Sequence, residues 1–87
     1  MEKYIKWLNS TYPSGRFKLV NNKVIVNFNK VCYTYRATDK QLAYIKKVTN
    51  TTKCVDYIEY ISKYLVSAII TLHKAYPQLQ IELKFTV

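Results

Sequence analysis

The chain has 87 residues, of which 49% are hydrophobic, and its 14 Lys and Arg against 5 Asp and Glu give a formal net charge of +9. This length predicts one domain over residues 1–87 with a modest core, and a single Gly with two Pro argues against a linker-rich, disordered chain. Two cysteines and one histidine are too few for a disulfide scaffold or a zinc site, so we expect no metal, no cofactor and a reduced, cytoplasmic protein.

The sequence predicts neither a signal peptide nor a membrane span. Lys3 and Lys6 interrupt the apolar residues at the start of the chain. The longest uncharged run, Tyr64 to Leu72, is about half as long as a membrane-spanning helix. We therefore expect no membrane partner.

A short amphipathic helix is predicted at the start of the chain. One arc of the helical wheel over residues 2–11 collects the large apolar side chains, namely Tyr4, Ile5, Trp7 and Leu8. A helix of about ten residues does not persist alone, so it must pack on the rest of the domain. A turn is predicted at Pro13 to Gly15.

The following segment predicts a three-stranded antiparallel meander. Apolar and polar residues alternate over Arg16 to Val20, Lys23 to Phe28 and Val31 to Arg36. Asn21-Asn22 and Asn29-Lys30 predict two-residue turns, because Asn tolerates the positive φ that tight hairpins require. Both turns place large residues on one face of the sheet, with the pairs Phe17–Val26, Leu19–Val24, Val26–Tyr33 and Val24–Tyr35.

The second half predicts two helices and a last strand. Thr38 and Gln41 match a capping box, which predicts a helix of about ten residues. Lys53 to Tyr76 carries an apolar seam at the helical period and ends at Pro77, which predicts a long core helix. Leu79 to Val87 alternates as a strand. The predicted fold class is therefore α+β in the order α-β-β-β-α-α-β, with the helices packed on one face. Whether the last strand lies beside the first or the third stays open.

The opposite side of the predicted meander is basic. Residues 3–38 contain seven Lys and Arg and no acid. Lys23 and Arg36 fall opposite one another, a like-charge pair that a bound anion would relieve. We therefore predict non-enzymatic nucleic-acid binding, with DNA favoured over RNA, through Arg16, Lys18, Lys23, Asn27, Thr34 and Arg36.

Three other interpretations stay open. The basic face is also what a Lys-rich protein would simply present to solvent. A small viral or mobile-element inhibitor could use the same cations to bind an acidic surface of a host protein, inside the host cell. The sequence offers no nucleophile–base pair and no glycine-rich loop, so an enzyme would have to work with Lys, Arg and Tyr alone. The enzymatic alternative is therefore a ribonuclease-like site of Lys23, Tyr35 and Arg36.

The nine tyrosines raise the hypothesis of base stacking, because rings interleaved with cations bind single strands. The predicted register and helical seam turn four of them inward, namely Tyr33, Tyr35, Tyr57 and Tyr64. The candidates for a free ring are then Tyr12, Tyr44, Tyr60 and Tyr76. Position therefore disfavours stacking.

The apolar surface of the long helix is broader than one sheet face needs. Tyr60, Val66 and Ile70 lie off its main seam or at its edge, which predicts a homodimer contact. The alternative is that the N-terminal helix covers them with Ile5, Trp7 and Leu8.

Overall fold

The computed structural model describes residues 1–12, 15–49 and 55–86, and these ranges contain three α-helices, two short 3₁₀ helices and a three-stranded sheet. The helices are α1 (Glu2–Thr11), α2 (Asp39–Val48) and α3 (Lys63–Ala75), and the strands are β1 (Gly15–Val20), β2 (Lys23–Phe28) and β3 (Gln80–Phe85). The 3₁₀ helices span Tyr33–Tyr35 and Val55–Tyr60. The α+β class is confirmed. None of the helices in these ranges combines the length and apolarity needed to cross a membrane.

The predicted N-terminal helix is confirmed as α1, which packs its apolar arc into the core. Ile5 and Leu8 are buried, whereas Trp7 stays half-exposed. The hydroxyl of Tyr4 donates a hydrogen bond to the carbonyl of Thr71 at 3.2 Å, which joins α1 to α3. Burial, with a smaller contribution from the neighbouring hydroxyls of Tyr76 and Tyr12, raises the pKa of Tyr4.

The side chain of Asn9 fastens the end of α1 to the edge strand β1. Its Nδ2 donates to the carbonyl of Phe17 at 2.9 Å, and the amide of Phe17 donates to its Oδ1 at 2.7 Å. One amide side chain thus satisfies both backbone groups of an edge residue. The contact fixes α1 across the face on which Phe17 is buried.

The first predicted hairpin is confirmed in its turn and its register. Asn21 has φ 55°, the left-handed conformation that Asn tolerates in a two-residue turn. Phe17 pairs with Val26 and Leu19 with Val24. Alternate residues of β2 are buried, so its apolar side faces the core.

The prediction that residues 31–36 form a third meander strand is wrong. β3 occupies the edge of β2 on which that strand was predicted. The sheet order is β1-β2-β3, and β3 runs parallel to β2 with Val24 beside Ile81 and Val26 beside Leu83. The sheet is therefore mixed, and the helix-and-strand order is α-β-β-α-α-β. Residues 33–35 form a 3₁₀ helix instead, and Arg36 makes only an isolated bridge to Ser62.

Side-chain chemistry explains why β3 takes this position. Ile81 and Leu83 are almost completely buried beside β2. Tyrosines in the same place would have to bury hydroxyl groups that need hydrogen-bond partners. Tyr33 is instead 86% exposed, so its predicted inward orientation is wrong.

The capping box that predicted α2 is confirmed. The Thr38 hydroxyl accepts a hydrogen bond from the amide of Gln41 at 3.3 Å, and the Gln41 side chain accepts one from the amide of Thr38 at 2.9 Å. The helical period predicts that Leu42, Ile45 and Val48 share the inner side of α2; Leu42 and Ile45 are buried there, whereas Val48 is only partly buried.

The predicted long helix is correct only from Lys63 onward. Before it, Val55–Tyr60 is a 3₁₀ helix, and Ser62 is the N-cap of α3. The buried Ser62 hydroxyl accepts a hydrogen bond from the amide of Leu65 at 3.0 Å. The apolar seam conceals this break because Ile58, Ile61 and Leu65 are buried on both sides of it.

Some predictions concern residues outside the described ranges. They are the turn at Pro13 and Ser14, the helix start at Lys53 and the strand end at Val87.

Replacing the buried cap should destabilise the domain. We expect Ser62→Ala to lower the free energy of unfolding by about 1–2 kcal/mol, because the Leu65 amide loses its partner in a buried position. Urea unfolding followed by circular dichroism measures this change. Ser67→Ala is the matched control, since Ser67 is exposed within α3 and its hydroxyl donates to the Lys63 carbonyl instead of capping a helix. Equal losses in both variants would contradict the assignment.

Candidate nucleic-acid interface

The side of the sheet that faces away from the helices forms a grid of nine side chains, which we call the outer face. The backbone register places them in three rows across β1, β2 and β3. The rows are Arg16–Asn27–Lys84, Lys18–Ile25–Glu82 and Val20–Lys23–Gln80. None of the nine is buried, in contrast to Phe17, Val24 and Ile81 on the inner side.

The outer face is basic, although it contains one acid that the predicted meander lacked. Lys23 Nζ lies 2.9 Å from Glu82 Oε2, with the two side chains 40% and 25% exposed. Lys23 is therefore paired with an acid. Among the described residues, Arg16, Lys18 and Lys84 have no acidic partner within ion-pair distance. These three cations carry the uncompensated charge of the face.

Four of the six residues predicted to bind nucleic acid lie together on the outer face: Arg16, Lys18, Lys23 and Asn27. Thr34 and Arg36 do not, because residues 33–36 are outside the sheet. Thr34 is exposed on the 3₁₀ helix, and Arg36 Nη2 lies 3.5 Å from Glu59 Oε2. The predicted opposition of Lys23 and Arg36 is therefore wrong.

Lys84 is the outer-face cation that the sequence prediction missed. The alternating pattern of residues 79–87 predicts the strand that carries Lys84, but it does not predict which strand lies beside it. Only the pairing of Asn27 with Lys84 puts it in one row with Arg16.

The three residues predicted to contact a second subunit differ in exposure. Val66 is completely buried within the chain, so it presents no surface to a partner. Tyr60 and Ile70 are half-buried against the core. A homodimer stays a prediction, and light scattering against concentration measures it.

A second surface lies beyond the end of β2, where an open groove has a volume of about 640 Å³. Its walls come from the end of α1, the loop after β2, the first 3₁₀ helix and the start of α3. The residues that line it are Thr11, Tyr12, Lys30, Val31, Cys32, Tyr35, Ser62 and Tyr64. We call it the tyrosine groove.

One backbone contact positions the tyrosines of this groove. Arg36 and Ser62 form an isolated antiparallel bridge, in which the amide of Ala37 donates to the carbonyl of Ile61 at 3.1 Å. This bridge holds the first 3₁₀ helix beside the start of α3. The rings of Tyr35 and Tyr64 lie 5.5 Å apart between centroids, at an interplanar angle of 49°. They are 46% and 45% exposed.

Two cations lie at the tyrosine groove. Lys30 lines it and places its Nζ 5.2 Å from the centroid of the Tyr60 ring. Lys63 Nζ lies 5.3 Å from the centroid of the Tyr64 ring. Both distances are within the range of cation–π attraction, which keeps the ammonium groups beside aromatic faces.

The prediction of which tyrosines are free is reversed by the structure. The rings predicted to face inward are exposed or half-exposed, namely Tyr33, Tyr35, Tyr57 and Tyr64. The rings predicted to be free pack partly against the core, namely Tyr12, Tyr44, Tyr60 and Tyr76. The objection to base stacking, which depended on position, therefore no longer holds.

Within the described ranges, no group of three His, Cys, Asp or Glu side chains is close enough to hold a metal ion. His73, near the end of α3, packs against the ring of Tyr44 with centroids 6.3 Å apart. It does not line the tyrosine groove.

No protein-family model matches this chain, and comparisons with curated proteins and with solved structures give no significant match. The functional argument therefore rests on the geometry and charge of the outer face and the tyrosine groove.

Proposed function

We propose that this chain is a non-enzymatic nucleic-acid-binding protein, with DNA favoured over RNA, that contacts the phosphate backbone through its outer face. The observation that supports the proposal is the group of three cations, Arg16, Lys18 and Lys84, without acidic partners among the described residues. The formal charge of +9 adds long-range attraction for a polyanion.

The spacing of these cations suits a polymer better than a single small anion. Strands lie roughly 4.8 Å apart, so the Arg16 and Lys84 backbones are separated by roughly 10 Å across β2. Long, flexible side chains at that separation can contact different phosphates of one backbone. Asn27, between them, can donate to a phosphate oxygen or contact a base edge.

A protein with an acidic surface is the rival partner, because it would meet the same cations. In that case this chain would be a viral or mobile-element inhibitor, and its complex with the host protein would survive nuclease treatment of a lysate. Binding to a polyphosphate backbone would instead be reproduced with purified oligonucleotides. Retention of one specific protein after nuclease treatment, without binding to any oligonucleotide, would favour the rival.

Removing outer-face cations should reduce the salt dependence of binding. We expect Arg16→Ala, Lys18→Ala and Lys84→Ala each to lower the slope of log affinity against log salt by about one, since each releases about one fewer counterion. Fluorescence anisotropy with duplex DNA, single-stranded DNA and RNA measures the slope and identifies the preferred polymer.

The matched control for this series is Lys40→Ala, because Lys40 is an exposed cation on α2, on the helical side of the sheet. Its slope should stay close to that of the unchanged protein if the outer face binds. Failure of all three polymers to bind at low salt would overturn the proposal.

Neutralising the acid of the outer face should strengthen binding. We expect Glu82→Gln to increase affinity severalfold at low salt, because it removes a negative charge from the face and releases Lys23 from its 2.9 Å ion pair. The gain should shrink as salt rises, since it is electrostatic. Anisotropy titrations at two salt concentrations test this, with Asp39→Asn on α2 as the control. Weaker binding by Glu82→Gln would contradict the assignment of the outer face.

A further inference from the structure

We propose that the tyrosine groove receives an unpaired base of a single nucleic-acid strand, stacked against Tyr35 and Tyr64. The inference rests on the proposed function and specifies it, because it adds strandedness and a second contact surface. Four observations carry it: exposed rings, a fixed backbone, neighbouring cations and continuity with the outer face.

The rings of Tyr35 and Tyr64 offer aromatic surface that the chain does not use for its own core. Each is nearly half exposed, and the 49° angle between them leaves them splayed rather than stacked on one another. Lys63 lies over one side of the Tyr64 ring, and a base can stack on the aromatic surface that stays exposed, because every base has a π-face.

The groove is held in shape before any ligand arrives. The Arg36–Ser62 bridge, with its bond from the Ala37 amide to the Ile61 carbonyl, fixes the two tyrosine-bearing segments side by side. The buried cap of Ser62 fixes the start of α3, from which Tyr64 projects. A base entering the groove therefore pays little ordering entropy.

Charge selects the kind of aromatic ligand. Lys30 lines the groove and Lys63 lies against the Tyr64 ring, so a ring that enters with an attached phosphate gains two nearby cations. An apolar peptide segment would gain nothing from these ammonium groups. A nucleotide within a strand combines the flat ring with the negative charge.

The groove also lies at the same end of the sheet as the outer-face row that contains Asn27. The outer-face row Arg16–Asn27–Lys84 precedes the last paired row of the sheet, Gly15–Phe28–Phe85. Asn29 and Lys30 follow Phe28 directly. Phosphates can therefore pass from the outer face to Lys30. Bases in a duplex are stacked and paired, so the groove requires a single strand or an opened base.

The experiment compares two single strands of equal length and equal phosphate charge, oligothymidine and an abasic strand of about ten nucleotides. The whole chain should bind oligothymidine about tenfold more tightly than the abasic strand, since only the first can stack. Tyr35→Ala and Tyr64→Ala should remove most of that difference, whereas Tyr35→Phe and Tyr64→Phe should keep it.

Tyr33→Ala is the matched control. Tyr33 is the most exposed large hydrophobic residue of the described ranges, and it does not line the groove. Its loss should leave the tenfold preference unchanged. An equal effect of Tyr33→Ala and Tyr35→Ala would overturn the placement of the base in the groove.

Alkylation of Cys32 gives a second measurement that needs no change to the tyrosines. Cys32 is exposed and lines the groove, so a bound base should slow its reaction with iodoacetamide. Mass spectrometry of Cys54→Ser protein, saturated with oligothymidine, measures the rate at Cys32 alone. An unchanged rate would overturn the inference.

The outcomes separate the two proposals. Equal, salt-dependent binding of both strands would overturn the tyrosine groove and leave the outer face as the binding surface. Failure of both strands, of duplex DNA and of RNA to bind at low salt would overturn the proposed function and the groove together.

Discussion

The parallel pairing of β2 with β3 is the constraint on which the rest of the structure depends. β2 has two edges, and the hairpin fills only one of them. The other accepts β3, whose Ile81 and Leu83 complete the buried inner side beside Val24 and Val26. Because those aliphatic side chains carry no polar group, their burial costs no hydrogen bond. This pairing excludes residues 31–36 from the sheet and leaves them to form the wall of a groove.

Three local signals in the sequence predict local structure correctly, whereas a fourth, the Asn29-Lys30 turn, does not lead into a strand. The Asn21 turn, the Phe17–Val26 register and the Thr38–Gln41 capping box each involve residues close in the chain, and each is confirmed. The position of β3 depends on contacts between residues far apart in sequence, which no alternation pattern encodes. The start of α3 was missed for a different reason. Ser62 is a strong N-cap residue, but it sits within an apolar run that continues the helical period.

The pairing of β3, instead of residues 31–36, with β2 also determines which part of the site could be predicted. Arg16, Lys18, Lys23 and Asn27 belong to the hairpin, so their common face followed from its register. Glu82 and Lys84 belong to β3, and they add one acid and one cation that the predicted face did not include. Tyr35 and Arg36 lie outside the sheet, and the tyrosine groove contains two rings, Tyr35 and Tyr64, that the sequence prediction had turned inward.

The amide of Asn9 has a consequence for how copies of this chain can meet. Edge strands invite another chain to extend the sheet by backbone hydrogen bonding, the usual route to edge-to-edge aggregation. On β1, the amide and carbonyl of Phe17 are already bonded to the Asn9 side chain. An incoming strand would have to displace the Asn9 side chain before it could pair with Phe17. The hydrogen bonds of this one side chain therefore oppose β-type self-association at the β1 edge when the protein is concentrated.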